Sequence, residues 1–298
     1  MSKFENKVDF VALISANRAN CNGDPLNGNR PRTDYDGFGE ISDVCIKRKI
    51  RNRMQDLGYS IFVQSEERAD DGYGSLSERA EKQIGKTSSG KKKDIGLTKE
   101  EFAKRANEKY IDVRTFGQVF AFKSKESEGD SDSVSVGIRG PVSIHQAVSA
   151  SPIIIDSFQI TKSVNGMQKD TDNGKRGKDT MGMKHFVRFG LYEIKGSINV
   201  QLAEKTGFSE EDSELLKECL RTLFVNDASS ARPDGSMEVV KLFWFRHNCK
   251  DGQYSSARVH RSVKAVLKNP ENLPADVDDY EITLEPLDGL TPEIIDGI

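Results

Sequence analysis

Apolar positions along this chain follow two rhythms, one suited to strands and one to helices. Val8-Asp9-Phe10-Val11-Ala12-Leu13-Ile14 is apolar on nearly both sides, which predicts a central strand covered on two faces. Ser42 fits the N-cap of a helix running to about Leu57, with Ile46, Ile50, Met54 and Leu57 on one buried stripe. Tyr59 to Gln64 reads as a short strand. Val134, Val136 and Ile138 alternate with Ser135, Gly137 and Arg139, and Val142 and Ile144 continue beyond Pro141. Phe186 to Leu202 reads as one bent strand or a pair interrupted near Gly196. Ser209 to Asp212 resembles a capping box. It opens a helix with Leu215, Leu216, Cys219, Leu220, Leu223 and Phe224 in register. Glu238 to Arg246 is the last strong strand.

This order predicts an α+β fold resembling the ferredoxin-like β-α-β-β-α-β core. Two charged insertions interrupt it. Residues 66–110 contain GKTSSGKKKDIGLTKEEF. Residues 161–184 hold six cations (Lys162, Lys169, Lys175, Arg176, Lys178, Lys184) against Asp170, Asp172 and Asp179. Lying between strand-like segments, the second insertion reads as a projecting hairpin with a basic tip. The expected organisation is a single domain over 1–268 with these insertions, followed by an acidic tail over 269–298.

Composition adds exclusions. With 36% hydrophobic and 31% charged residues, the 298-residue chain reads as soluble and globular. No window approaches the roughly 18 apolar residues of a membrane span, and MSKFENKVDF lacks a signal-peptide pattern. A cytoplasmic location without a membrane partner is expected. Cys21, Cys45, Cys219 and Cys249 are scattered, which supports neither a zinc site nor a disulfide framework. A net charge of −3 argues against a nucleic-acid partner until its distribution is examined. Residues 269–298 carry nine acids and no Lys or Arg, and removing them leaves 1–268 at +6. The tail is either a solvated terminus, or it meets a basic patch on a neighbouring protein or repels nucleic acid from one face.

The strongest chemical signal is NGDPLNGNRPRTDYDGFGEISDVCIKRKIRNRM, Asn22 to Met54. Its Gly- and Asn-rich loop tolerates positive φ and offers backbone N–H groups. The helix behind it carries Lys47, Arg48, Lys49, Arg51 and Arg53. Donors beside clustered cations suit a run of phosphates. Asn22, Gly23, Asn29 and Arg32 are candidate loop contacts, with Lys47, Arg48 and Arg51 on the helix. Lys47 and Arg51 share a face at i, i+4. Gly137, Arg139 and Gly140 form a second candidate group, because glycines flanking an Arg let a polynucleotide approach. Ser230 and Arg232 form a third. In the hairpin, Lys162 and Lys184 add charge. Met181 and Met183 either wedge at a nucleotide or pack the hairpin.

Catalytic signals are weaker. His145, His185, His247 and His260 lie in separate segments, and His247-Asn-Cys249 lacks a second half-site. GKTSSGKK does not follow the phosphate-loop order, and no nucleophile elbow or dinucleotide fingerprint occurs. Asp24, Asp34 and Asp36 are either metal ligands or turn-formers. No catalytic residue, metal or cofactor is assigned.

NCNGDPLNGNRPRTD, GEISDVCIKRKIRNRM, DVRTFGQVFAF, GIRGPVSIHQAVS, GMKHFVRFGLYEIKGSINVQLAEKTGFSEEDSELLKECL and NDASSARPDG occur in that order. Together they resemble the type I-C CRISPR-associated backbone subunits of Cascade, the seventh Cas family, over about residues 8–247. Cys21 stands where such a loop would carry Pro. The resemblance implies an RRM-like core of the repeat-associated (RAMP) superfamily with a thumb hairpin and finger insertions. It implies a non-catalytic subunit whose copies polymerise along CRISPR guide RNA, their thumbs displacing a nucleotide at regular intervals. The guide is presented to a target DNA strand, so sequence reading falls to base pairing. Further implied partners are other copies of the chain and the remaining Cascade subunits: the guide 5′-end cap, large and small subunits. Related type III subunits cleave RNA with a loop aspartate, so a metal-dependent ribonuclease is the alternative. A protein-interaction polymer with incidental basic surfaces is another. The aromatic signature of ordinary RNA-recognition motifs is absent, so base stacking on the sheet face is not expected.

Overall fold

The computed structural model describes residues 2–87, 96–121, 135–161 and 181–298. In chain order, β1 (Val8–Ala19), β2 (Gly23–Asp24), β3 (Arg30–Pro31) and β4 (Phe38–Ile41) lead into α1 (Asp43–Asp56). Then come α2 (Leu76–Gln83), α3 (Lys99–Lys109), α4 (Ile111–Phe116), β5 (Gly117–Ala121) and β6 (Ser135–Arg139). β7 (Val142–Ile144), β8 (Ala147–Pro152), β9 (Ile155–Thr161) and β10 (Met181–Ile198) follow. The chain continues through α5 (Val200–Thr206), α6 (Glu210–Arg221), β11 (Met237–Arg246), α7 (Ser256–Ser262), β12 (Val263–Leu267), β13 (Tyr280–Leu284) and β14 (Glu293–Asp296).

The fold is α+β around a large antiparallel sheet of order β14-β11-β1-β10-β8-β4, with β7 and β9 also pairing to β10. β1 sits in the middle, and Val8 to Ala16 are all buried, as its two-sided apolar run requires. On one face Phe10, Ile14, Tyr192, Ile194 and Trp244 share a core with Ile46, Ile50 and Met54 of α1 and Leu216, Cys219 and Leu220 of α6. Ser42 caps α1 by accepting from the Cys45 N–H, and Ser209 and Asp212 close a capping box on α6. The other face presents Val11, Leu13, Leu191, Phe243 and Phe245, and it is covered too. Val259 of α7, Val263 and Ala265 of β12, Tyr280 of β13, Leu287 and Leu290 lie against it.

Residues 269–298 are therefore built into the fold, which corrects the expected acidic tail. Tyr280, Leu287 and Leu290 turn inward while the acids point to water. β14 closes the sheet edge against β11, with Lys217–Glu293 at 2.9 Å and Lys241–Asp296 at 2.7 Å. The strand expected at Tyr59 to Gln64 is not formed. Ile61 and Phe62 are buried, but the Phe62 and Val63 N–H groups are taken by the Asp112 carboxylate rather than a neighbouring strand. β10 runs unbroken through Gly196, where a Cβ would lie 2.2 Å from the Phe10 ring, and Val200 to Leu202 begin α5. Val134 lies outside the described residues.

The helical insertion has its own core, in which Phe62, Ala80, Ile84, Phe102, Ala106, Tyr110, Phe120 and Val136 pack together. Buried ion pairs fasten it to the sheet layer. Asp112, fully buried, accepts from Arg51 Nε at 2.9 Å as well as from Phe62 N at 2.7 Å and Val63 N at 3.1 Å. Arg114 donates to both oxygens of Asp212, the capping carboxylate of α6, at 2.9 and 2.8 Å. Asp112→Ala would strand the Arg51 guanidinium and two N–H groups, and is expected to destabilise the chain by about 3–5 kcal/mol. Urea unfolding followed by circular dichroism measures this, and a loss within error of zero would refute it.

A second buried carboxylate ties β1 to β11. Asp9 Oδ2 lies 2.8 Å from His247 Nε2 and 3.0 Å from Lys7 Nζ. The Gln253 N–H donates to His247 Nδ1 at 2.9 Å, so Nε2 carries the proton that Asp9 accepts. Burial pushes the Asp9 carboxyl up, but hydrogen bonds from His247, Ser256 and Lys7 outweigh it and hold it below the ordinary value. A depressed carboxyl stabilises the fold above its unfolded value and loses that contribution as pH falls through the folded one. Stability should thus fall below about pH 4, and Asp9→Asn should flatten that acid limb in thermal melts taken across pH.

Candidate nucleic-acid interface

The loop between β1 and α1 is an ordered structure pinned at several points. Asp24 accepts from the Leu26 N–H at 3.2 Å and opens a single turn over Pro25–Asn27. Gly28 and Asn29 follow at φ 58° and 60°, which reverses the chain into β3. At Gly23 a Cβ would sit 2.1 Å from Asn29 Oδ1, so a larger residue would displace the Asn29 side chain. Asn22 Oδ1 accepts from the Ser42 N–H at 2.9 Å, and the Asn22 carbonyl accepts from Arg32 N at 3.1 Å. The loop is thereby fixed to the start of α1. Arg32 reaches Asp24 at 3.3 Å, while its buried Nε has no partner among the described residues.

The segment after α6 closes on this loop. The Asn20 N–H donates to the Ala231 carbonyl at 2.9 Å. Asp227 accepts from Arg232 Nε at 3.2 Å and from the buried ammonium of Lys49. Burial pushes the Cys45 thiol up, while Lys49, Arg232 and Arg32 all oppose that rise. Lys49 and Arg232 therefore meet at Asp227, beside the loop in which Arg32 pairs with Asp24. Ser230 is exposed at the turn beside them.

Most of the basic helix has other work. Arg51 is committed to Asp112 and lies 5.1 Å over the Phe116 ring, and Arg48 donates to the Val63 carbonyl. Arg53 donates to Thr222 at 2.8 Å. Lys47 pairs with Asp43 at 2.9 Å and keeps part of its surface. Arg48 and Arg51, expected as phosphate contacts, thus have partners inside the fold, because α1 is packed by the helical insertion as well as the sheet.

Gly137, Arg139 and Gly140 lie on or just after β6, in the β5–β6 hairpin that packs on α3, α4 and α5 rather than on the loop. Gly137 and Arg139 are exposed. A Cβ at Gly140 would meet the Thr115 carbonyl at 2.4 Å, so this glycine accommodates the protein's own backbone.

The long hairpin is formed by β9 and the start of β10, with Met181 opposite Thr161 and Lys184 opposite Phe158. Lys162 and the other cations of the tip, apart from Lys184, lie outside the described residues. Met181 and Met183 are exposed, as are Phe158 and Ile160, which sequence reasoning did not single out. Arg30 was also missed. Its guanidinium donates to Ser157 Oγ at 2.9 Å, and His185 Nδ1 meets the same hydroxyl at 2.7 Å. These bonds join the hairpin base to the loop; the Arg30-Pro31-Arg32 repeat of charge was the available signal. Asp34 Oδ1 accepts from Asp36 N at 3.0 Å and Phe38 N at 2.8 Å, so Asp24 and Asp34 both shape turns.

Loop, helix start and post-α6 turn thus form one ledge that carries Arg30, Arg32, Lys47 and Arg232 and is joined to the hairpin at Ser157. A CRISPR-associated protein Cas7 of Haloferax volcanii is 27% identical over 227 residues, 73% of this chain and 64% of that protein. The chain therefore matches just under two thirds of that curated relative's length. The fold is similar to a chain of a solved "CRISPR RNA-guided surveillance complex, pre-nicking", at TM-score 0.50 and 15% identity over 90% of this chain and 84% of that one. The family described as CRISPR-associated protein Cas7 matches residues 6–285, from just before β1 to just after β13, and this chain belongs to it.

Proposed function

We propose that this chain is a non-catalytic, guide-RNA-binding backbone subunit of a type I-C Cascade in the cytoplasm. Its copies line up along one CRISPR RNA and present it to a target DNA strand, alongside the guide 5′-end cap, large and small subunits. The observation that carries this reading is that the Arg232 turn is bonded to the loop that holds Arg32, and that Arg30 of the same loop is bonded to the hairpin at Ser157. An RRM-like core of the RAMP superfamily is supported by the order β11-β1-β10-β7, with α1 and α6 as the crossovers.

The sheet face on which such domains ordinarily stack bases is filled here by α7, β12 and β13. Contact with RNA is left to loops and the hairpin, which read phosphate and sugar rather than base identity. That suits a subunit repeated along one strand, because only the backbone repeats. Gly23 and Asn29 shape the ledge, Arg32, Arg232 and Lys47 face phosphates, and Met181, Met183 and Lys184 act on the hairpin. Asp24 and Asp227 are the internal counterions that phosphates would replace.

Arg32→Ala and Arg232→Ala should each weaken binding of single-stranded guide RNA and reduce the slope of log K against log salt by about 0.7. Fluorescence anisotropy across a potassium chloride series, on variants with wild-type circular dichroism, reads this out. Unchanged slopes would remove these residues from the interface. Deleting residues 165–180 should spare the folded monomer but shorten multi-copy assemblies on guide RNA in native mass spectrometry. Full-length assemblies would count against a role for the hairpin. Magnesium-dependent RNA cleavage abolished by Asp24→Ala would replace this reading with the ribonuclease one.

A further inference from the structure

The loop of the ledge contains two Asn-Gly pairs, Asn22-Gly23 and Asn27-Gly28, which the fold treats oppositely. In such a pair the glycine nitrogen can attack the side-chain carbonyl carbon of asparagine, since glycine has no Cβ to obstruct it. An N–Cγ bond forms, the carboxamide C–N bond breaks, and ammonia leaves with the displaced proton. Water then opens the resulting succinimide at either carbonyl, giving aspartate or isoaspartate without any change of oxidation state.

Asn22 is locked against this reaction. Its Oδ1 accepts from the Ser42 N–H at 2.9 Å, its own carbonyl is held by Arg32 N at 3.1 Å, and Gly23 is walled in by the Asn29 side chain. Ring closure there would uncouple the loop from the start of α1. Asn27 has no such restraint. It is exposed, and its side chain makes no hydrogen bond among the described residues. The turn Pro25–Asn27 buries no residue, and Gly28 has no atom within 4 Å of the place a Cβ would occupy.

We propose that Asn27-Gly28 is a spontaneous deamidation site that places a carboxylate in the loop carrying Asn29, Arg30 and Arg32. The effect on RNA rests on the function proposed above: a new negative charge on the ledge repels phosphate, so binding weakens as the chain ages. The modification itself does not depend on that reading.

The test is peptide mapping by mass spectrometry of the full folded chain after incubation in mildly alkaline buffer. Asn27 should convert at least about fivefold faster than Asn22, the factor that one ordinary hydrogen bond imposes. In urea-unfolded chain the two rates should converge. Asn22 converting as fast as Asn27 in the folded chain, or Asn27 staying intact, would overturn the assignment. Asn27→Gln should leave circular dichroism unchanged and abolish conversion at that position. Aged wild type should lose more affinity for single-stranded RNA than aged Asn27→Gln. Conversion with equal affinities would leave the modification standing and take the loop out of the RNA interface.

Discussion

A carboxylate with no exposed surface must find hydrogen-bond donors or cost the fold several kcal/mol, and Asp112 finds three. One is Arg51 on α1 and the others are the Phe62 and Val63 N–H groups at the entry to the helical insertion. The same carboxylate orients α1, ends the extended run after it, and docks α4. Arg114 and Asp212 repeat the device between α4 and α6. Through these contacts a peripheral set of helices is registered against the sheet, and α1 is held at a fixed angle to the loop that precedes it.

That arrangement changes what charge on α1 means. A run of five cations within seven positions reads as a surface, yet Lys49 and Arg51 are largely buried and Arg48 and Arg53 are hydrogen-bonded internally. Two further cations flank α1 and keep part of their surface, Arg32 of the preceding loop, paired with Asp24, and Arg232 of the turn after α6, paired with Asp227. These residues lie 200 positions apart in sequence. They share a ledge because the Asn20 N–H bonds the Ala231 carbonyl and Asp227 gathers Lys49 and Arg232.

Two-sided burial of β1 has a similar reach. With helices on one face and α7, β12 and β13 on the other, the sheet offers no open platform for bases. Under the proposed function, contact with RNA falls to the rim, to the ordered loop and the hairpin. The family match over residues 6–285 takes in α7, β12 and β13 and every strand of the sheet except β14.

Local pattern alone determined β1, the Ser42-capped α1, the capping box of α6, β11 and the loop that heads the ledge, because each depends on periodicity or capping within a few residues. The α+β class followed from their order, and the downstream blocks carried the family. What local pattern did not show was set by contacts between distant segments. Tyr59 to Gln64 had strand composition, but Asp112 claimed its N–H groups. The acids of 269–298 looked like a tail because most point outward, while the inward Tyr280, Leu287 and Leu290 are too sparse to advertise a covering layer. Above all, which cations remain available was decided by tertiary structure, since a charge is spent or free according to the partner that folding brings beside it.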